Sequence, residues 1–233
     1  MKNLEDLNIR SQSFSNTEKM PVLFLGHGNP MNAIEENQFV IGFRKLAETL
    51  PVPNAILCIS AHWCTRGTKV TAMEMPRTIH DFGGFPKALF DVQYPAKGSP
   101  TLANITKELM LPANVETDKK WGLDHGAWSV IKHLYPGANI PVIELSIDYT
   151  KPALYHYELA QKLKPLRNKG ILIIGSGNIV HNLSLVDFSN FDRDDYGFDW
   201  AIEARETINN YLVNENYKPL IEYKKQKRAI QLA

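Results

Sequence analysis

Short apolar runs recur along this chain, separated by longer stretches in which apolar residues follow helical spacing. Runs of this length and composition are typical of buried strands. They predict strands at residues 22–26, 55–60, 68–75, 141–147 and 171–177. The last run, ILIIGSG, is almost unbroken and aliphatic, which predicts a central strand buried on both faces. The intervening stretches predict helices at residues 31–50, 101–110, 126–134 and 199–215, with one more inside 150–166.

Alternation of strands and helices favours an α/β fold with a mostly parallel sheet covered on both sides. Residues 1–20 are polar and predict a flexible N-terminal arm, which leaves residues 21–233 for the folded domain. The segment 76–100 is rich in glycine, proline and aromatic residues. A long irregular stretch inside a compact domain is often functional.

Composition narrows the class of protein. The chain is 44% hydrophobic and 22% charged, and its net charge is +1 with neutral histidines. So small a net charge gives no field that would attract nucleic acid or an anionic membrane. Its two cysteines, Cys58 and Cys64, form no CxxC motif, which favours a reducing compartment. With no secretory signal and no apolar run near the length of about 18 residues that spans a bilayer, the cytoplasm is expected.

Three histidines each follow a predicted strand. His27 lies in LGHG, His62 in SAHW, and His181 after GSGNIV. Because the carboxyl ends of parallel strands meet at one crevice, these imidazoles can surround one divalent metal ion. Neutral imidazole suits iron, zinc, copper and nickel, so the cluster does not identify the metal. Each histidine also has an interpretation without a metal. His27 would be an ordinary turn histidine, His62 would pack against Trp63, and His181 would be an exposed histidine at a helix start.

A fourth histidine, His125 in GLDHGAW, is a candidate general acid or base. Asp124 beside it can orient the imidazole. Alternatively, Asp124 is a helix N-cap and His125 is first-turn surface. His133 and His156, on predicted helices, are interpreted as structural or exposed.

The loop HDFGGFP supplies candidates for substrate binding. His80 and Asp81 are expected to line the entrance to the site. An apolar wall for a ring is predicted from nearby aromatic residues, with plain loop packing as the alternative: Phe82, Phe85, Phe90 and Tyr94.

Several common motifs are missing from the sequence. GSGNIV lacks the third glycine of the dinucleotide fingerprint, and neither the GxSxG elbow nor HExxH occurs. The KKQKR run at 224–228 is interpreted as a solvated face rather than a nucleic-acid site.

Taken together, the segments PVLFLGHGNPMNA, SAHW, HDFGGFP, GLDHGAW and GSGNIVHNL resemble one family. They are similar to the class III extradiol ring-cleavage dioxygenases (LigB-type), in the 4,5-DOPA extradiol dioxygenase-like branch, over residues 20–233. The resemblance implies a single three-layer αβα domain with a mononuclear non-haem metal. It implies metal binding by His27 and His62. It also implies that His181 is a further ligand or an acid/base, and that His125 contacts substrate oxygen or shuttles a proton.

The expected activity is opening of a catechol ring, such as that of DOPA, by Fe(II) and dioxygen. Zinc lacks the accessible second oxidation state that this chemistry needs. It binds nitrogen ligands more tightly than Fe(II) does, so Zn(II) is expected to occupy the site in some purified protein. The expected partners are a small aromatic diol and dioxygen, with no nucleic acid or membrane, in a monomer or homodimer.

Two other functions stay open. One is a zinc-dependent hydrolase using the same histidines, and the other is a truncated, non-catalytic remnant. The resemblance bears on the second, because members of the family continue past the match to residues 231–233 into a PTPxHYxPL-like motif whose histidine completes the metal site. The chain is expected to lack this segment and that ligand.

Overall fold

The computed structural model describes residues 14, 16–190, 193 and 196–233. The chain divides into two compact units. The first contains the described residues up to Pro152 together with Glu158–Gly177, and the second contains Ala153–Tyr157 and Asn178–Ala233. Most of the predicted N-terminal arm, residues 1–13 and 15, lies outside the described residues.

The first unit is built on a parallel sheet. Its strands are β1 (Val22–Leu25), β2 (Ala55–Ser60), β3 (Cys64–Thr65), β4 (Thr68–Thr71), β5 (Val115–Asp118), β6 (Val142–Glu144), β7 (Ile147–Asp148) and β8 (Ile171–Ser176). Four of them form the central sheet in the order β1-β8-β2-β6, with every neighbouring pair parallel. Two small parallel pairs, β3 with β7 and β4 with β5, lie outside it. The predicted α/β class with a mostly parallel central sheet is confirmed.

Register in the central sheet brings three strand ends level. Ser176 of β8 pairs with Leu25 of β1 on one side and with Ser60 of β2 on the other. Strands β2 and β8 are aliphatic and buried over most of their length, which suits central positions in a parallel sheet. The segments that follow Leu25 and Ser60 therefore leave the sheet side by side.

Helices follow or precede most strands of this unit. They are α1 (Gln38–Thr49), α2 (Lys87–Phe90), α3 (Pro100–Leu109), α4 (His125–Leu134) and α5 (Ala153–Gln161), the last of which is divided between the two units. Helix α4 packs against β2, β8 and α1, and α3 packs against β4 and β5. The core beneath α4 includes Trp128, Ile131, Ile56 and Leu172. This arrangement is consistent with the three-layer αβα architecture expected from the sequence.

Local signals explain where the elements depart from the predicted bounds. The helix predicted over 31–50 starts only at Gln38, because the Asn37 side chain accepts hydrogen bonds from two amides of the first turn. Residues Pro30–Ala33 instead form a short 3-10 turn. Strand β5 was not predicted, because Val115 is its one buried residue and pairing with β4 supplies the rest of its stability.

The second unit is helical. It contains α6 (Asp199–Val213), α7 (Lys218–Ile221) and α8 (Arg228–Leu232), and α6 packs against α8. Ala204, Ala229 and Ile230 are its buried apolar side chains among the residues described. Lys225 and Lys227 of the basic run are exposed and pair with Glu222 and Glu203. In the described part of the chain, no helix is both long and apolar enough to cross a bilayer.

Substitution of Leu172 tests the packing of the central strand β8. It is fully buried on β8 beneath α4. Leu172→Ala is expected to lower the free energy of unfolding by about 2–5 kcal/mol, because it removes buried methyl groups and leaves a cavity. Urea denaturation measures the change. The control Val52→Ala, at a side chain that is 77% exposed, is expected to stay within about 0.5 kcal/mol of wild type. Equal effects of the two substitutions would contradict this packing.

Candidate active site

Three histidines converge beyond the carboxyl edge of the sheet. His27 lies two residues after β1, His62 two residues after β2, and His125 is the first residue of α4. Each offers one nitrogen, and these three atoms lie within 4.8 Å of one another. His27 and His125 are buried and His62 is partly exposed. The structure therefore brings together two of the predicted metal-binding histidines and the predicted acid/base.

The Nε2 atoms of His27 and His62 are 3.1 Å apart. Two nitrogens that each lie about 2.1 Å from one ion can be at most about 4.2 Å apart, so this separation fits a shared ion. His125 completes the group, with its ring centroid 4.0 Å from that of His62 and 5.6 Å from that of His27. Imidazole nitrogens suit Fe(II) and Zn(II), so the donor set fits a divalent transition metal.

Ser176 fixes the orientation of His27. Its hydroxyl donates to the carbonyl oxygen of Gly126, and its Oγ lies 3.0 Å from His27 Nδ1. A hydroxyl has a single hydrogen to donate, so towards His27 it acts as an acceptor. His27 therefore carries its proton on Nδ1, which leaves the Nε2 lone pair on the side of His62.

Asp81 contacts both of the other histidines. Its Oδ2 lies 3.2 Å from Nδ1 of His62, and its Oδ1 lies 2.9 Å from Nδ1 of His125. The backbone N–H of His125 also donates to Oδ1. Burial alone would raise the pKa of Asp81, but the hydrogen bonds from His125 and His62 outweigh it and hold the pKa well below its usual value. The hydrogen bond to Asp81 raises the pKa of His62, against the opposing effect of burial.

Asp124 serves α4 rather than His125. Its Oδ1 accepts the backbone N–H of Ala127, which makes it the N-cap of the helix. The alternative interpretation of Asp124 as a helix cap is therefore right, and Asp81 takes the place beside the imidazole. Below the cap, the fully buried Glu144 accepts the backbone N–H of Asp124 through Oε1. Burial, and then the charge of Asp124, raises the pKa of Glu144.

Two glycines, Gly28 and Gly126, allow the histidines to lie close to one another. Gly28 has φ +63°, and its turn is held by Asn32, whose Nδ2 donates to the carbonyl of His27. Gly126 faces the group, where a Cβ would overlap Ser60 Oγ and lie 2.8 Å from Cδ2 of His62. A side chain at 126 would therefore displace His62.

Aromatic residues of the 81–90 segment gather beside His125. The Phe82 ring lies 5.3 Å from that of His125 in an edge arrangement, and it also contacts Phe85 and Phe90. His80 binds the carbonyl of Val92 at 2.9 Å. Its role in substrate binding stays a prediction.

Tyr94 and His181 were also predicted to belong to the site. Tyr94 is buried in the core and donates from its hydroxyl to the carbonyl of Tyr135, so it is not part of the aromatic wall. His181 belongs to the second unit, where its backbone N–H donates to the carbonyl of Ala233. Its role as ligand or acid/base stays a prediction. His133 is buried and bonded to the carbonyl of Asn32, as expected of a structural histidine.

Sequence reasoning did not find the orienting roles of Ser176 and Asp81. Ser176 ends the buried strand β8, and its place near the end of the predicted strand 171–177 gave no sign of a contact with His27. Asp81 was placed at the entrance, but both of its carboxylate oxygens contact ring nitrogens. The signal in the sequence that could have indicated such a role was the pair His80 and Asp81 in the irregular segment 76–100.

Comparison with known proteins identifies relatives across most of the chain. The family model described as "Catalytic LigB subunit of aromatic ring-opening dioxygenase" matches residues 22–227. A protein of Escherichia coli (strain K12) named "4,5-DOPA dioxygenase extradiol" is 50% identical over 209 residues, covering 88% of this chain and 76% of that protein.

Plant and structural relatives agree with this match. A Beta vulgaris protein of the same name is 44% identical over 165 residues, which cover 68% of this chain and 61% of that protein. The crystal structure of an uncharacterized Escherichia coli K12 protein superposes with a TM-score of 0.75 at 43% identity. That match covers 91% of this chain and 82% of the other.

Gly126→Ala tests the close packing of the site. The added methyl group must push His62 away from its position, so affinity for Zn(II) is expected to fall about 10- to 100-fold, as when groups that orient a metal-binding histidine are lost. Competition with a chromophoric chelator measures the affinity. The matched control Gly42→Ala, in α1 with open space around it, is expected to retain wild-type affinity. Unchanged affinity in Gly126→Ala would show that His62 does not depend on this contact.

Proposed function

Because this chain belongs to the LigB family of aromatic ring-opening dioxygenases and is an extradiol ring-cleaving enzyme, we propose that it opens a catechol such as DOPA with dioxygen, using Fe(II). The convergence of His27, His62 and His125 on one centre carries this proposal. The family and the class of enzyme agree with the resemblance expected from the sequence. The metal and the diol are the proposed part.

His27 and His62 are the proposed metal ligands. Both present Nε2 towards the same space, and the Nδ1 of each is occupied by Ser176 or Asp81. Bound iron would supply redox chemistry with dioxygen and would acidify the hydroxyl groups of a catechol. Zinc lacks the redox step. It binds nitrogen donors more strongly than Fe(II) does, so Zn(II) is the metal expected to contaminate purified protein.

His125 is the proposed acid/base. Its Nδ1–H donates to Asp81, so its Nε2 is left to accept a proton from a catechol hydroxyl. The negative charge of Asp81 would stabilise the imidazolium that forms. His181 is proposed as a second acid/base or as a further ligand, from its match to the family motif.

An aromatic diol suits the surroundings of His125. Phe82 and its neighbours Phe85 and Phe90 offer ring surfaces next to the imidazole, and His80 is proposed to line the same side. The names of the Escherichia coli and Beta vulgaris relatives point to DOPA. The net charge of +1 supports a small substrate rather than a nucleic acid or membrane partner. A cytoplasmic monomer or homodimer remains a prediction.

Anaerobic loading with Fe(II), followed by DOPA and air, tests the activity. Oxygen uptake and a yellow ring-opened product are expected from the wild type. His27→Gln is expected to lower both by at least about 100-fold, because it removes a proposed ligand. An oxygen electrode and the product spectrum measure the two effects. The control His156→Gln, outside the three-histidine group, is expected to behave as the wild type.

Other outcomes separate the alternatives. Turnover of an ester or amide with Zn(II) and no oxygen uptake would favour the hydrolase. Failure to bind either metal would favour the non-catalytic remnant. Equal oxygen uptake by His27→Gln and wild type would contradict the proposed site.

A further inference from the structure

One carboxylate links a proposed metal ligand to the proposed acid/base. Asp81 Oδ2 lies 3.2 Å from Nδ1 of His62, and Oδ1 lies 2.9 Å from both Nδ1 and the backbone nitrogen of His125. Its side chain is 18% exposed, and that of His125 is 6% exposed. These contacts are therefore largely shielded from competing water.

Asp81 can only accept hydrogen bonds at neutral pH. Both of its oxygens face ring nitrogens, and Oδ1 also accepts the backbone N–H of His125. The amino end of α4 adds to this, because backbone N–H groups at a helix start favour a negative charge. An ionised carboxylate has no hydrogen to donate, so every nitrogen that faces it must supply one.

We propose that Asp81 is a positioning residue shared by His62 and His125, which holds both neutral imidazoles as Nδ1–H tautomers so that both Nε2 lone pairs face the metal and substrate side. A neutral imidazole carries one N–H, so placing it on Nδ1 leaves Nε2 as the acceptor. Ser176 imposes the same tautomer on His27. All three rings of the group then present the same kind of nitrogen.

The requirement for two acceptors explains why a carboxylate stands at this position. Asparagine has the same shape but offers one oxygen and one NH₂ group. In Asp81→Asn, one of the two rings must therefore face a donor, and it can accept that hydrogen bond only by moving its proton to Nε2. That ring loses the lone pair with which it would bind metal or take a proton.

The inference rests on the proposed metal site, but its first test needs no turnover. Nitrogen NMR of ¹⁵N-histidine-labelled protein, at a pH where the rings are neutral, reports which nitrogen of each ring carries the hydrogen, and single histidine substitutions assign the signals. His125 is measured in the metal-free protein. His62 is measured with Zn(II) bound, because without an ion the Nε2 atoms of His27 and His62, 3.1 Å apart, must share a hydrogen. Nδ1–H is expected for both rings, and an Nε2–H form of either would overturn the proposal.

The second test uses Asp81→Asn. One of the two rings is expected to change to Nε2–H, and affinity for Zn(II) and Fe(II), measured anaerobically by chelator competition, is expected to fall about 10- to 100-fold. The matched control is Asp91→Asn, which removes an exposed carboxylate that pairs with Lys87. It is expected to keep wild-type tautomers and affinity.

The outcomes separate this inference from the proposed function. Unchanged tautomers and unchanged affinity in Asp81→Asn would overturn the positioning role while leaving the dioxygenase proposal intact. Wild-type protein that binds neither metal would overturn the proposed function, and the tautomer of His125 in the metal-free protein would still decide the role of Asp81. If Asp81→Asn does not fold, judged by thermal unfolding, the wild-type measurement decides alone.

Discussion

Parallel pairing of β8 with both β1 and β2 is the constraint on which the site depends. It sets Leu25, Ser176 and Ser60 level at one edge of the sheet. His27 and His62 each lie two residues beyond their strands, so they leave that edge at the same height and their Nε2 atoms meet. A shift of one residue in either pairing would turn the side chains of that strand to the opposite face of the sheet. The buried aliphatic faces of β2 and β8 oppose such a shift, so core packing fixes the site as well as the fold.

Much of this could be predicted from the sequence because strands and their carboxyl ends leave local signals. Apolar runs located β1, β2 and β8, and the rule for parallel sheets placed His27 and His62 at a common edge. The order β1-β8-β2-β6 was not predictable, because no local pattern records which strands pair. The division of the predicted strand 141–147 into β6 and β7 was hidden for the same reason, since β7 exists through its pairing with β3.

The partner of His125 could not be found from sequence spacing. Asp124 is adjacent in the chain, but the backbone geometry of an N-cap directs its carboxylate to the amides of the first helical turn. Asp81 lies 44 residues away in an irregular segment that has no periodicity from which its position could be derived. The pKa values of the neighbouring carboxyl groups shift in opposite directions. Hydrogen bonds from the imidazoles lower the pKa of Asp81 against the effect of burial, whereas burial raises the pKa of Asp124 and of Glu144. Asp81 is also the carboxylate whose oxygens contact the ring nitrogens.

The sheet and a loop position different histidines of the site. The strands position His27 and His62, whereas the loop residues Asp81 and Phe82 contact the Nδ1 atom and the ring of His125. Loops tolerate substitution better than paired strands do. If the proposed aromatic wall binds the substrate, changes around Phe82 would alter the ring that the enzyme accepts, provided that Asp81 keeps both contacts. Since its carboxylate also orients His62, the loop cannot move freely without disturbing a proposed metal ligand. A proposed metal ligand and the proposed acid/base thus share one carboxylate, which restricts the loop at Asp81 more than at the aromatic residues around it.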